Sequence, residues 1–540
     1  MSTERKRVGI FGWGVVAPRS PNIEAFEKNL ERATTWLKPF DGFGPSNFLV
    51  GEPDFDFSVY RPWIDQRFEP RRFSMLDAKM GDMVKYALGA FIQALGQNPG
   101  LEEELKSLGS EAHVYVGTGL GDFSVQYDIA REYQRAQRRW NRFWCKAPHC
   151  PPLERYRSLD EAAARELLVE LEAPADLADH DPTALDPYDD GFLEASDRWH
   201  EFWARHSQGL ADFLAELQEI EAEGIGDDVE SSKGHVIRRK LAARKKLRDR
   251  WQCPTEPWNA VDARLLWNIP NIPAAQISML GGITGPAVAP IAACAGFGAA
   301  LKLADAAIQA GEAKVVVVGT TDPKPHPLTV GSFYQARVMS HDGRVSKPFT
   351  GMRGTHVSGG ACVWIVGDAD YLMAKGMQPL GLEIVGVAVS SDADHIITPS
   401  EEGPRSAMRR AMAVAQVEPE EVSTWDMHAT ATPGDWQELQ NALAVLPGKT
   451  RFTARKGSFG HGMSVCGGWE LTAQHLGVVT GKLHPVDLQE AELHPQVQPY
   501  FDSLVLDQPE VAGDGSVAGK INMGIGGINA CVICRTWGRR

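Results

Sequence analysis

The sequence predicts an α/β protein interrupted by one long helical block. Short β-rich runs ("RVGIF", "AHVYVG", "KVVVVG", "CVWIVG", "LEIVGVAV") alternate with helical patterns, and several end in glycine-rich turns. From about residue 127 to 258 the alternation stops. That segment is charged and tryptophan-rich, with long helical patterns such as "GLADFLAELQEIEAEG" and "VIRRKLAARKKLRDRW" between Pro- and Asp-rich loops.

At 540 residues the chain is long enough for two domains or a duplicated one. A formal net charge of -15 argues against a general nucleic-acid binder. No apolar stretch approaches the ~20 residues of a membrane span, and the opening "MSTERKRVGIFGWG" lacks the apolar core of a signal peptide, so a cytoplasmic protein is expected. Eight cysteines are too few for a disulfide scaffold, and a reducing compartment keeps them as thiols. "CKAPHC" brings Cys145, His149 and Cys150 together, but no second pair with metal-ligand spacing follows. Cys531 and Cys534 lie in the extended run "NACVICRTW", where alternation points them to opposite faces. Both sets read as packed thiols.

Taken in chain order, "RVGIFGWGVVAP" holds Gly12, Gly14 and Ala17 in the spacing of a dinucleotide-binding turn. A helix must begin there to present its amides to pyrophosphate, yet Pro18, Ser20 and Pro21 follow, which suit a turn. "GTGLGD" at 117–122 has the wrong glycine spacing, so a nucleotide-binding oxidoreductase is set aside. Within the helical block "RWNRFW" (139–144) recurs as "RWHEFW" (198–203). On a helix the Trp, Phe and Trp of each copy share a face, which predicts two amphipathic helices packing on each other or on the main body. A partner or acyl-chain surface is the sharper alternative. In the basic run 238–250, Ile237, Leu241, Leu247 and Trp251 fall on one side of a helix, leaving Arg238, Arg239, Arg244, Lys245 and Arg248 to solvent. Such a face pairs with the acidic stretch 216–223 or docks an acidic partner.

The candidate chemistry starts at "IAACAGFGAALKLADAAIQAG" (291–311), where a single cysteine sits among small residues before a helical run. If Cys294 opens that helix, the unpaired amides and positive dipole end favour its thiolate, and the same amides can bind an oxyanion. His428 in "DMHATATPGD" and His461 in "KGSFGHGMSVCGG" add two imidazoles, so that a nucleophile and two hydrogen-bonding groups can surround a thioester.

These segments resemble the β-ketoacyl synthases, condensing enzymes of the thiolase fold. Residues 268–340 look like their nucleophile region. "HATATP" is similar to the family's H-G-T-S/G-T motif, "KGSFGH" to K-S-x-x-G-H and "NMGIGGINA" to N-S-F-G-F-G-G-T-N, while "SSDADHIITP" and the opening strand also fit. Residues 127–258 stand outside the resemblance as an insertion. What it implies is a thiolase fold, with two similar α/β halves in a five-layered αβαβα arrangement plus a mainly helical insertion. The first half, 1–368, carries the nucleophile, and the second, 369–540, carries both histidines.

By the same resemblance, Cys294 takes an acyl group from acyl carrier protein or coenzyme A, with oxyanion donors from its own amide and that of Ile525. A malonyl thioester then loses carbon dioxide while His428 and His461 hold its carbonyl. Thr430 and Thr432 match residues that contact the phosphopantetheine arm, and Lys456 matches the lysine supporting the histidines. No metal or redox cofactor is implied. The partners are acyl carrier protein, docked for instance on Arg238, Arg244, Lys245 and Arg248, and a second copy or related subunit. The pathway is fatty acid, polyketide or other secondary metabolite biosynthesis. Alternatives on this fold are a non-elongating partner subunit, an acyltransferase or a decarboxylase. Gly360 stands where the family has a glutamate, which removes an expected ionic partner of Lys456. Ile525 and Met523 replace two phenylalanines, which predicts a wider or softer acyl pocket.

Overall fold

The computed structural model describes residues 5–44, 47–224, 229–396, 400–446, 448–512 and 517–538. The last three residues of "SSDADHIITP", 397–399, lie outside them. The chain forms two compact units, 126–265 and the remainder of the chain.

The larger unit is built on ten strands among the described residues: β1 Val8–Val16, β2 Ala112–Gly117, β3 Ala287–Val288, β4 Val315–Asp322, β5 Gly360–Asp368, β6 Leu380–Ser391, β7 Val422–Asp426, β8 Arg451–Thr453, β9 Val517–Gly524 and β10 Ile528–Arg535. Their order is β8-β7-β9-β10-β6-β1-β5-β4-β2-β3. Read outward from the centre, β1, β5, β4, β2 and β3 pair antiparallel, antiparallel, parallel, parallel. The series β6, β10, β9, β7 and β8 repeats that pattern. The two halves join where β1 meets β6 antiparallel, with Val8 opposite Ile384 and Ile10 opposite Leu380.

Alternation of side chains along these strands sets the layers. Val316 and Val318 of β4, Trp364 of β5, Ile384 of β6 and Cys534 of β10 share one core with the helices Gly296–Ala310 and Cys466–Val479. The opposite-facing residues of the first half, Val315, Val317, Val363 and Ile365, pack with the helix Asp82–Leu95. Those of the second half, Cys531 and Ile533 among them, pack with the helix Glu402–Ala415. Cys531 and Cys534 thus face different cores. Gly12 and Gly14 lie inside β1, where a Cβ would meet the carbonyls of Ala94 and Ala90 at 2.3 and 1.9 Å. Close helix packing, rather than a phosphate, accounts for these glycines.

In the smaller unit Trp140, Trp144, Trp199 and Trp203 are buried in one cluster with Phe213 and Leu247. The repeated aromatic motifs therefore pack internally, and Cys145 and Cys150 turn their thiols to the carbonyls of His200 and Trp203. The basic helix Val229–Trp251 departs from expectation in its packed face, while its basic side pairs with the acidic stretch 216–223 as one reading expected. Ile237 and Leu241 are 49% and 56% exposed, because the packed face rotates onto Ala243, Arg244, Leu247 and Trp251. Arg244 pairs with Glu221, and Arg248 pairs at 3.4 Å with the buried Glu256. Those two guanidiniums are tied up within the unit, whereas Arg238 and Lys245 lie on its exposed face. Among the described residues no helix is long and apolar enough to cross a membrane.

Candidate active site

Cys294 sits in a single 3₁₀ turn, Ala293–Ala295, that leads into the helix Gly296–Ala310. Ala293 takes a left-handed φ of 45°, a strained conformation for a residue with a Cβ. The turn between β9 and β10 closes over it, and a side chain at Gly524 would come within 2.8 Å of the Ala292 carbonyl and 3.4 Å of the Cys294 amide. Only glycine lets the Ile525 amide approach this closely.

The charge of Lys456 and the backbone N–H groups of Ile525 and of Cys294 itself favour the thiolate. Burial nevertheless pushes the thiol up to about 11, outweighing them. This corrects the expectation of a dipole-activated thiolate: at neutral pH the resting nucleophile is a thiol. The helix start contributes donors, but the desolvation it imposes is the larger effect.

His428 follows β7 and His461 follows the helical turn Lys456–Phe459. One ligand-type atom from each of Cys294, His428 and His461 lies within 4.8 Å of the others, and all three residues are buried. The same trio has the donor set for a soft metal ion, but a metal needs the thiolate, which burial disfavours here. His428 Nδ1 faces Asn522 Nδ2 at 3.2 Å and Lys456 Nζ at 3.5 Å. Because an ammonium can only donate, Nδ1 is the acceptor and the ring proton sits on Nε2. Burial first, then the charge of Lys456, holds both imidazoles well below the usual histidine range. Both rings are neutral at pH 7.

Lys456 is fully engaged. It donates to the His428 carbonyl and lies 2.5 Å from Glu470 Oε1, with both side chains buried. Glu470, from the helix Cys466–Val479, supplies the ionic partner that the glycine at 360 had removed from expectation. Gly360 could not carry a glutamate in this backbone, since its φ is 152° and a Cβ would sit 2.1 Å from the Val16 carbonyl. Burial works to raise Glu470, but the ammonium groups of Lys456 and Lys520 outweigh it and keep the carboxylate ionised.

Thr430 and Thr432 stand with their hydroxyls 2.9 Å apart on a loop folded around Asp435. That carboxylate accepts the amides of Thr430 at 2.7 Å, Ala431 at 3.0 Å and Phe349 at 3.1 Å. Cys294, both histidines, both threonines and Ile525 line one cavity of about 410 Å³. Ile525 is 43% exposed at its rim and Met523 is buried below it. Arg238, Arg244, Lys245 and Arg248 belong to the other unit.

Four further residues escaped sequence reasoning. Glu470, Lys520 and Asn522 form the polar cluster behind His428. Asp322 accepts Thr118 Oγ1 at 2.8 Å and the amides of Gly119 and Leu120 through one oxygen, and the Ser464 amide and hydroxyl through the other. It ties the end of β4 to the turn beside Cys294. Glu470, Lys520 and Asn522 are charged or amide side chains in otherwise apolar runs, the sequence signal that could have found them, whereas Asp322 in "GTTDPK" carries no such signal.

Residues 240–368 match the family described as "Beta-ketoacyl synthase, N-terminal domain", and 382–487 match its C-terminal domain. Over these two segments the chain is similar to the β-ketoacyl synthases. A 3-oxoacyl-[acyl-carrier-protein] synthase homolog of Saccharomyces cerevisiae is 27% identical over 277 residues, covering 49% of this chain and 62% of the relative. Among solved structures, the ishigamide ketosynthase/chain length factor superposes with a TM-score of 0.65 at 19% identity, over 99% of this chain and 100% of its own. A complex of a type II polyketide acyl-carrier protein with its ketosynthase bound to the hexaketide superposes at 0.61 and 16% identity, over 99% and 100%. These β-ketoacyl synthase relatives place the α/β fold in the thiolase type.

Proposed function

We propose that the protein catalyses decarboxylative Claisen condensation of an acyl thioester with a malonyl thioester. The observation that carries the reading is one cavity in which a buried thiol, two amide donors and two neutral imidazoles converge. In the first half-reaction the Cys294 sulfur bonds to the acyl carbon and the bond to the carrier's sulfur breaks. The thiol proton ends on the departing sulfur. The tetrahedral oxyanion forms beside the amides of Cys294 and Ile525.

In the second half-reaction the malonyl thioester carbonyl takes hydrogen bonds from His428 Nε2 and from His461. Its carbon–carboxylate bond breaks, carbon dioxide leaves, and the electron pair becomes an enolate. The enolate carbon attacks the acyl-Cys carbonyl and the Cys294 thiolate leaves. Charge grows on the thioester oxygen only as carbon dioxide departs, so the two imidazoles stabilise the transition state more than the ground state. Thr430 and Thr432 contact the phosphopantetheine arm, and the scheme uses no metal or redox cofactor. We place the reaction in the cytoplasm, in fatty acid or polyketide assembly, with acyl carrier protein as donor and a second ketosynthase chain as partner. Carrier contacts on the insertion would fall to Arg238 and Lys245, since Arg244 and Arg248 are paired.

Intact-protein mass spectrometry after incubation with acyl-carrier thioesters, followed by malonyl carrier protein, tests the reading. An acyl adduct that malonyl carrier protein discharges into a 3-ketoacyl product is expected. A folded protein that forms no adduct with any donor overturns it in favour of a non-elongating subunit. The isoleucine at 525 and methionine at 523 fill less rigid volume than two aromatic rings. Long, branched or aryl donors are therefore expected to acylate Cys294 at least as fast as acetyl, and a strong acetyl preference sinks that expectation.

A further inference from the structure

Lys520 lies in β9, two residues before Asn522, and is completely buried. Its ammonium sits 2.8 Å from Glu470 Oε2 and donates to the carbonyls of Met427 at 3.0 Å and Ile521 at 2.7 Å. Glu470 is thus shared by two lysines, Lys456 on one oxygen and Lys520 on the other. One carboxylate cannot neutralise two ammonium groups in a low-dielectric interior, and the acid opposite Lys520 in the sheet, Asp426, is already paired with the buried Arg455 at 3.1 Å.

The placement suggests what that charge does. Lys456 binds the carbonyl of His428, and Lys520 binds the carbonyl of the residue before it. The two lysines therefore clamp consecutive peptide units of the segment that aims the imidazole. From the helix Gly434–Leu443, Glu438 closes the same segment by accepting the amides of His428 at 2.5 Å and Ala429 at 2.7 Å. Burial pushes Glu438 up to about 7, so it offsets the surplus charge only in part at neutral pH. Lys520 also faces Asp426, which pairs with the buried Arg455, and the thiols of Cys466 and Cys531, while His428 also faces His461.

We infer that Lys520 is a positioning residue for decarboxylation: from behind His428 it holds the Met427 carbonyl and, with Lys456, places a second buried positive charge near the imidazole. The inference rests on the proposed condensation. The sign follows from electrostatics, since a nearby cation disfavours protonation of His428 and His461, and removing it makes both rings easier to protonate.

The test compares Lys520→Met with Lys520→Arg in full-length protein. Ring-labelled histidine NMR follows protonation of His428 and His461, assigned through His428→Gln and His461→Gln, and malonyl-carrier decarboxylation is measured against pH. In Lys520→Met, protonation and the acid limb of the rate are expected to move up by about one pH unit, with kcat falling about 10- to 100-fold and KM little changed. Lys520→Arg is expected to restore the wild-type limb. Unmoved histidine titrations in a folded Lys520→Met protein, or an arginine variant no better than methionine, overturn the inference. Should Lys520→Met fail to fold, the arginine variant decides alone: a wild-type limb supports the charge and a shifted limb overturns it. If the wild type does not decarboxylate malonyl carrier protein, the condensation reading fails, while shifted titrations still support the charge at Lys520.

Discussion

Cys294→Ala is expected to abolish acyl-adduct formation and to lower condensation by on the order of 10³-fold or more, while malonyl decarboxylation persists. The split follows from the geometry. Among the described residues the thiol is the group that lies at the amides of Cys294 and Ile525, where the acyl carbon must be accepted. The donors for the malonyl carbonyl, however, come from other elements, one after β7 and the other after the turn Lys456–Phe459. Alanine removes the sulfur without disturbing either. Mass spectrometry reads the missing adduct and carbon dioxide release reads the surviving half-reaction. Loss of both together would mean that the two halves of the site are not separable as proposed.

His428→Ala is expected to give the opposite result. Decarboxylation should fall by about 10² to 10³-fold, the usual cost of deleting one donor to a developing oxyanion, while the Cys294 adduct still forms. The locked tautomer makes the effect large. Lys456 and Asn522 fix the ring with its proton on Nε2, so wild-type His428 needs no reorganisation as the enolate grows. Glutamine at the same position restores a donor without that alignment and is expected to recover only part of the rate. Equal losses of acylation and decarboxylation in His428→Ala would instead argue that the residue supports the loop as a whole.

Much of this was legible in the sequence, and the parts that were not share a physical cause. The main strands announced themselves through apolar runs and glycine turns. Cys294, His428, His461 and Lys456 were each named from local pattern or resemblance, and the fold brings them together. What local pattern cannot carry is pairing across sequence distance. Glu470 relieves Lys456 from 14 residues away, and Asp322 reaches Ser464 across 142. Lys520 looks like a stray charge in "VAGKINMG" until β9 is seen to lie beside β7. Burial is equally invisible: the helix start promised an activated thiolate, and the depth of the site returned a thiol. In the insertion, helical periodicity assigned Ile237 and Leu241 to the packed face, but which of two adjacent stripes faces inward depends on neighbours that the pattern does not contain.

The strand order also governs how the protein can be made. The central strand β6 pairs with β1 on one side and β10 on the other, and β10 is the last strand among the described residues. During synthesis the first half can close its own sheet once β6 arrives, yet the far edge of β6 must wait until residues 528–535 leave the ribosome. Through that interval the nascent chain carries an open, largely apolar strand edge, the kind that invites mispairing. The same topology that brings the two halves together around Cys294 therefore leaves one edge of its central strand exposed until the β9–β10 hairpin is in place.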